Sequence, residues 1–284
     1  MPELPEVETV RRSLQQALAG RSIAEVTRVS WPRTIAEPAP EIFCELLRDR
    51  AIRSVDRRAK YVIIHLDRDE ALVIHLRMTG QLTVVDAAAA PDKHTHVALR
   101  LETHQQIFFR DTRKFGRIWL LDRQGLEALD RKLGPEPLDE ALTAEEFRTL
   151  LRKRKGRLKP LLLDQRLIAG LGNIYADEAL WMARLHPLQT VGETSDEQID
   201  ALHDAIREVL SRSIQNRGTT LADYRDALGI KGDNQNHLSV YARKDQPCLR
   251  CGTSIERITV AQRGTHLCPH CQQIPADALR RGEG

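Results

Sequence analysis

The sequence is poor in aromatic residues: Phe, Trp and Tyr make up 4% of its 284 residues, so any core must rest on Leu, Ile, Val and Ala. Long apolar runs are also missing. Stretches such as Val62-Ile63-Ile64 fall far short of the ~18 residues that cross a bilayer, which argues against a membrane protein. No basic segment followed by an apolar one opens the chain, so no secretory signal is read and a cytoplasmic location is expected. Thiols stay reduced there, so the five cysteines point to metal binding before disulfides. The remaining composition, 41% hydrophobic and 29% charged, is that of a soluble globular chain. At ~100–200 residues per domain, the length suggests two domains and a small satellite.

Charge of either sign is nearly balanced, with a net of +3, but it is unevenly placed. Seven cations lie between Arg148 and Lys159, with no acid from Glu146 to Asp164. Five more lie between Arg50 and Lys60, against Asp56 alone. Such clusters are the footprint expected for a nucleic-acid backbone. A solvated helix face would carry the same run.

The opening Met1-Pro2-Glu3-Leu4-Pro5-Glu6-Val7-Glu8 reads as a helix start, with early prolines and acids where the helix dipole favours them. Short β-rich stretches follow at 23–31, 51–55, 60–66, 71–76, 81–85, 96–101, 105–109 and 116–121, with a helix over 41–48. Many short strands at this spacing predict an antiparallel sandwich or barrel. Gly134-Pro135-Glu136-Pro137 marks a boundary. Helices are then expected from the Thr143-x-x-Glu146 capping box to about Lys155, over 160–167, over 173–184 behind Gly170-Leu171-Gly172, and over 195–216. The tail returns to short strands.

Two features carry chemistry. Cys248-x-x-Cys251 and Cys268-x-x-Cys271, separated by 16 residues, fit a zinc ribbon. Four thiolates close a tetrahedron without an open position, so one structural Zn2+ is expected, supplying most of the folding energy of a tail too short for a core. Cys44 stands apart and reads as a small hydrophobe. The second feature is Pro2, which becomes a free secondary amine if Met1 is removed. An α-amine near pKa 8 is roughly a tenth neutral at pH 7, against about one lysine in 2,500. A neutral amine can attack a sugar carbon and form an iminium, and Glu3 stands beside it as a proton carrier. Read alone, Pro2 and Glu3 also make an ordinary helix start.

Taken together, the motifs resemble bacterial formamidopyrimidine-DNA glycosylases. The carriers are Pro2-Glu3-Leu4-Pro5-Glu6-Val7-Glu8-Thr9, Arg57-Arg58-Ala59-Lys60-Tyr61, His75-Leu76-Arg77-Met78-Thr79-Gly80 and Asp111-Thr112-Arg113-Lys114-Phe115-Gly116. Gly170 through Glu178 and the four-cysteine finger, with Gln262-Arg263 before its second pair, complete the order. The resemblance implies a two-domain α+β fold: an N-terminal β-sandwich carrying a catalytic N-terminal helix (2–133), a helix–two-turn–helix domain with a lesion-capping loop (134–237), and a zinc finger (238–273).

It also implies an activity: excision of oxidised purines from double-stranded DNA, followed by cleavage at the abasic site by β- and δ-elimination. Pro2 would attack C1′ and Glu3 would move protons, with Lys60 and Arg263 also in the catalytic set. Lys60, Asn173 and Arg263 would clamp phosphates around a flipped nucleotide. Met78, Arg113 and Phe115 would fill the vacated stack. Glu6 would hold the N-terminus, and His94 and Lys159 would join the DNA contacts. A monomer associated with the nucleoid through DNA is expected. An endonuclease VIII-like enzyme for oxidised pyrimidines and a non-catalytic zinc-finger DNA-binding protein are the alternatives. The stretch from Gly229 to Leu238 departs from the family form best known for it. Being polar and glycine-rich, it is expected to be mobile without DNA and to order over the base.

Overall fold

The structure, a computed structural model, describes residues 1–274. Two compact units are defined, Met1–Lys132 with Ile214–Gln235, and Leu133–Ser213 with Asn236 onward.

The first unit opens with helix α1 (Leu4–Leu18) and strand β1 (Ser22–Val29). A three-residue strand β2 (Ile35–Glu37) and helix α2 (Pro40–Leu47) follow. Strands β3 (Arg50–Arg58), β4 (Tyr61–Leu66), β5 (Ala71–His75), β6 (Gly80–Asp86), β7 (Thr95–Leu101), β8 (Gln105–Asp111) and β9 (Arg117–Leu121) come next, and α3 (Arg123–Asp130) ends the run. The strands pair in the order β2-β9-β5-β4-β3-β1-β7-β8-β6. Only Ser22↔Ala51 and Ile23↔Arg50 join β1 to β3, so the sheet turns there into two layers.

Side chains alternate across each strand, and this places Ile64, Leu72, Ile74 and Ile118 of one layer against Leu82, Val97, Leu99, Ile107 and Phe109 of the other. The amphipathic faces of α1 and α2 add Val7, Val10, Leu14, Leu18, Phe43 and Leu47 to this core. The expected sandwich is therefore present, with its eight strands near the expected positions. Strand β2 was not anticipated, because three residues are too few to show alternation. Helix α3 was also missed. It is capped by Asp122, whose Oδ1 accepts from Gly125 N at 2.8 Å. Its Leu126 and Leu129 cover Ile63, Ala71 and Val73 on the outer face of the sheet.

The second unit holds α4 (Ala144–Arg152), α5 (Leu158–Leu163), α6 (Asn173–Met182), α7 (Asp196–Gln215) and the hairpin β10 (Glu256–Val260)–β11 (Arg263–Leu267). The Thr143 capping box is formed: Glu146 N donates to Thr143 Oγ1 and Thr143 N to Glu146 Oε2. Helix α5 begins earlier and stops sooner than expected. Pro160 falls in its first turn, where no intrahelical N–H is lost, and the backbone is already extended at Asp164. The segment Ile214–Gln235, expected with the helical domain, groups with the first unit because Tyr224 and Ala227 join the sandwich core.

Leu14 is fully buried in that core. Leu14→Ala is expected to cost about 2–5 kcal/mol, read from the urea midpoint of the intact chain.

Candidate active site and metal centre

A helix start leaves backbone N–H groups without intrahelical partners. At α1 these groups are buried, and the carboxylate of Glu6, 1% exposed, serves them. Glu6 Oε2 accepts from Glu3 N at 2.8 Å and Oε1 from Thr219 N at 2.7 Å. Tyr224 donates its hydroxyl to the Glu6 carbonyl at 3.2 Å and lies close to that of Arg217 at 3.1 Å. Gly218 sits at φ +78°, and a Cβ there would lie 3.0 Å from Glu6 Oε1, so only glycine lets the loop approach. Pro2 and Glu3 are thus buried at a fixed helix start. Lys60 lies in the two-residue turn between β3 and β4, where Ala59 takes φ +53°. It is only 5% exposed.

The Gly229–Leu238 segment, expected to be mobile, is hydrogen-bonded to Thr219, Thr220 and Asp226 upstream of it. Asn234 Nδ2 donates to Thr219 Oγ1 at 2.8 Å, Gly232 N to Thr220 Oγ1 at 2.9 Å and Thr220 N to Gln235 Oε1 at 2.8 Å. Buried Asp226 accepts from Leu228 N and Ile230 N. Leu221, Leu228 and Ile230 are left about half exposed on the loop.

Met78, Arg113 and Phe115 stand on two turns of the same unit. Asp111, fully buried, accepts from Thr79 Oγ1, Arg113 N and Gly116 N, which locks the turns together. A Cβ at Gly116 would meet the Phe109 ring at 2.4 Å. Arg77 and Lys114 both take left-handed backbone, φ +56° and +60°. Such strain persists only where the surroundings enforce it. For Arg77 the enforcement includes His75, whose Nδ1 accepts its N–H at 3.0 Å while the ring stands edge-on to Tyr61 at 4.7 Å. Burial, then the Arg77 and Lys60 cations, push His75 down to about 3. Met78 and Phe115 are 42% and 49% exposed, and the Arg113 guanidinium lies over the Phe115 ring at 4.9 Å. Large apolar side chains presented this way can enter a base stack. The carbonyl of half-buried His94 accepts from Asp111 N at 2.9 Å, tying its turn to the same group.

The second unit collects a different set. Asn173 opens α6 and donates Nδ2 to Gly264 O at 2.9 Å. That bond holds the hairpin turn in which Ala261 and Gln262 both have positive φ and after which exposed Arg263 projects. Lys159, expected at DNA, is instead fully buried. Its ammonium pairs with Asp177 at 2.6 Å and donates to Thr265 Oγ1 at 2.6 Å and Gly264 O at 3.3 Å. Asp177 also accepts from His266 N at 2.8 Å. Lys159 is therefore enclosed between Asp177 and the hairpin that carries Arg263. Beside Asp177, Glu178 accepts from the amides of Ser239, Val240 and Tyr241 at 2.8–2.9 Å. Burial pushes its carboxyl up against the pull of those donors.

The basic clusters divide similarly. Arg148 pairs with Asp200 and Arg152 with Asp196, leaving Lys153, Arg154 and Lys155 exposed. In the other cluster Arg50 is buried on Asp67 and Glu70, while Arg57 and Arg58 pair with Glu8 and Asp130.

The sulfur atoms of Cys248, Cys251, Cys268 and Cys271 all lie within 4.8 Å of one another. Arg250 N and Cys271 N approach Cys248 Sγ and Cys268 Sγ at 3.4 Å, the amide donors that a charged sulfur requires. This donor set fits a tetrahedral thiophilic metal ion.

Three family profiles match the chain: Formamidopyrimidine-DNA glycosylase N-terminal domain over 1–118, the H2TH domain of the same enzymes over 133–224, and the zinc finger found in FPG and IleRS over 245–274. The Formamidopyrimidine-DNA glycosylase of Herpetosiphon aurantiacus is 52% identical over 96% of this chain and 100% of its own length. That of Roseiflexus sp. is also 52% identical, with the same coverage. Among solved structures, a Lactococcus lactis FPG variant in complex with Fapy-dG containing DNA is 40% identical with a TM-score of 0.90, covering 96% of this chain and 100% of that one. The complex of Lactococcus lactis Fpg with abasic-site DNA superposes equally well, at 39% identity and the same coverage.

Two outcomes follow from this geometry. Removing one partner of a buried ion pair leaves the other charge uncompensated, so Lys159→Met is expected to cost about 3–5 kcal/mol. Adding Asp177→Asn, which removes the charge and keeps an acceptor for His266 N, should recover part of that in denaturant titrations. For His75, the folded value near 3 lies below the ordinary 6.5, so the unfolded chain binds the extra proton. Its contribution to stability is complete above about pH 6.5 and declines as pH falls toward 3. His75→Asn, which keeps an acceptor for Arg77 N, should flatten the melting temperature against pH across that window.

Proposed function

The chain belongs to the formamidopyrimidine-DNA glycosylase family, and we propose that it is a base-excision-repair DNA glycosylase and abasic-site lyase that uses Pro2 as its nucleophile. The observation that carries the site assignment is the buried start of α1, where Glu6 fixes Glu3 and the Thr219 loop through both carboxylate oxygens. The related structures bound to Fapy-dG and abasic-site DNA support double-stranded DNA carrying oxidised purines or abasic sites as the substrate.

In this reading Met1, 43% exposed, is removed and the Pro2 nitrogen becomes a secondary amine. Its lone pair attacks C1′ of the flipped nucleotide, and the glycosidic bond breaks with its electrons passing to the base. Glu3 delivers a proton to the sugar ring oxygen, opening the ring to an iminium. Loss of a C2′ proton then expels the 3′ phosphate, and a second elimination expels the 5′ phosphate. Lys60 and Arg263 supply positive charge to the phosphates, and Asn173 holds the Arg263 turn at the N-terminus of α6, where anions are favoured. Met78, Arg113 and Phe115 occupy the space left by the base, with His94 on the adjoining turn.

The four cysteines hold one structural Zn2+, and the metal keeps the β10–β11 hairpin folded. Among the described residues no helix is long and apolar enough to cross a membrane. The protein acts on DNA in the cytoplasm and works as a monomer.

Borohydride trapping on an 8-oxoguanine duplex tests the nucleophile. A covalent adduct mapped by mass spectrometry to Pro2, with Met1 absent, is the expected result. A bound duplex without adduct, trapped instead when thymine glycol replaces 8-oxoguanine, would move the enzyme to the pyrimidine class. Stripping the metal with a chelator should abolish duplex binding. Unchanged binding by a chain verified as metal-free would refute the structural role.

A further inference from the structure

Helix α6 reaches the metal centre at its C-terminal end, through Trp181. The indole is 8% exposed and packs with Val240, Cys248, Ile255 and Cys268. Its Nε1–H is buried and has no hydrogen-bond partner among the described residues, while the ring packs in one cluster with Cys248 and Cys268. A buried donor left without an acceptor is costly, and a metal-bound thiolate of this cluster would be the acceptor within its surroundings. Arg250, inside the first cysteine pair, lies over the ring with its guanidinium 4.2 Å from the indole centroid. The same guanidinium donates to Trp181 O at 3.1 Å and Met182 O at 3.3 Å. These carbonyls form the negative end of the helix, where a cation is favoured. The indole thus lies under a cation and packs against the cysteine cluster.

We infer that the Trp181 indole N–H hydrogen-bonds the metal-bound thiolate of Cys248, with Arg250 fixing the ring, so that α6 itself sets how tightly the zinc is held. This rests on the reading of the four cysteines as a zinc site. Four thiolates around a divalent ion leave an excess of negative charge, and a donor to one sulfur, with a cation behind it, draws that charge away. Trp181 is a positioning residue for the metal ligands it packs against. Groups that orient metal ligands in this way typically change affinity 10–100-fold when removed.

The test compares the intact holoprotein with Trp181→Phe, which keeps an aromatic ring and loses the N–H. Competition with a chromophoric chelator should show zinc held about tenfold less tightly in the variant. In the Co2+-loaded proteins the sulfur-to-metal charge-transfer band should move to longer wavelength, because the thiolate has lost a donor. Unchanged affinity and an unchanged band would overturn the inference. A wild-type chain that takes up neither metal would overturn the zinc reading beneath it, a result distinct from the first. If Trp181→Phe does not fold, the wild-type chain loaded with cadmium-113 gives the answer. Through-bond coupling from the metal to the Trp181 indole proton, assigned with Trp31→Phe and Trp119→Phe, is expected, and its absence overturns the proposal.

Discussion

A carboxylate taken out of water must have its oxygens met by donors, because the penalty for a bare buried charge exceeds the value of most contacts. Among the acids buried in the described residues, four order segments that carry proposed site residues or lead into the cysteine pairs. Glu6 holds the start of α1 and the Thr219 loop. Asp111 holds the turns of Met78 and Phe115. Asp177 and Glu178, neighbours on α6, hold respectively the hairpin that presents Arg263 and the stretch leading into the finger. Arg113, Met78, Phe115 and Arg263, all proposed to meet DNA, are exposed on turns that buried anions hold, whereas Lys60 is itself buried.

This division explains what could be read from the sequence. Strand alternation, the Thr143 capping box and the two cysteine pairs are local patterns with a fixed period or spacing, and all three are realised. The motif order carried the family. What spacing does not encode is which charged residue is buried. Lys159 lies in a run of cations and reads there like its neighbours, yet its side chain is enclosed while Lys153 and Lys155 are exposed. Its partner Asp177 is 18 positions away in the sequence, a separation that no helical or strand period connects. Tyr224 was missed for the same reason, since its hydroxyl acts on Glu6 across the fold. A signal was available for Asp111 and Thr79, because both lie inside quoted motifs, but a motif names residues without saying which of them supports the others.

The finger shows how a short tail is kept in place. Besides its thiols it is fastened along α6 at both ends and in the middle: Asn173 on Gly264, Glu178 on the 239–241 amides, and Arg250 on the last carbonyls. One helix therefore fastens the Arg263 hairpin turn at its start and meets the cysteine pairs at its finish.

The left-handed residues bear on how such a chain can vary. Ala59, Arg77, Lys114, Ala261 and Gln262 all hold positive φ beside residues assigned to the chemistry, and several of them face solvent. Surface positions ordinarily accept nearly any side chain. Here the backbone does the excluding, since valine, isoleucine and threonine are poorly accommodated in that conformation. A map of permitted substitutions would therefore show narrow, apparently arbitrary bands in exposed turns, some of them beside the residues proposed for the chemistry and others, as at Asp49, Arg68 and Asp69, not adjacent to them in the sequence.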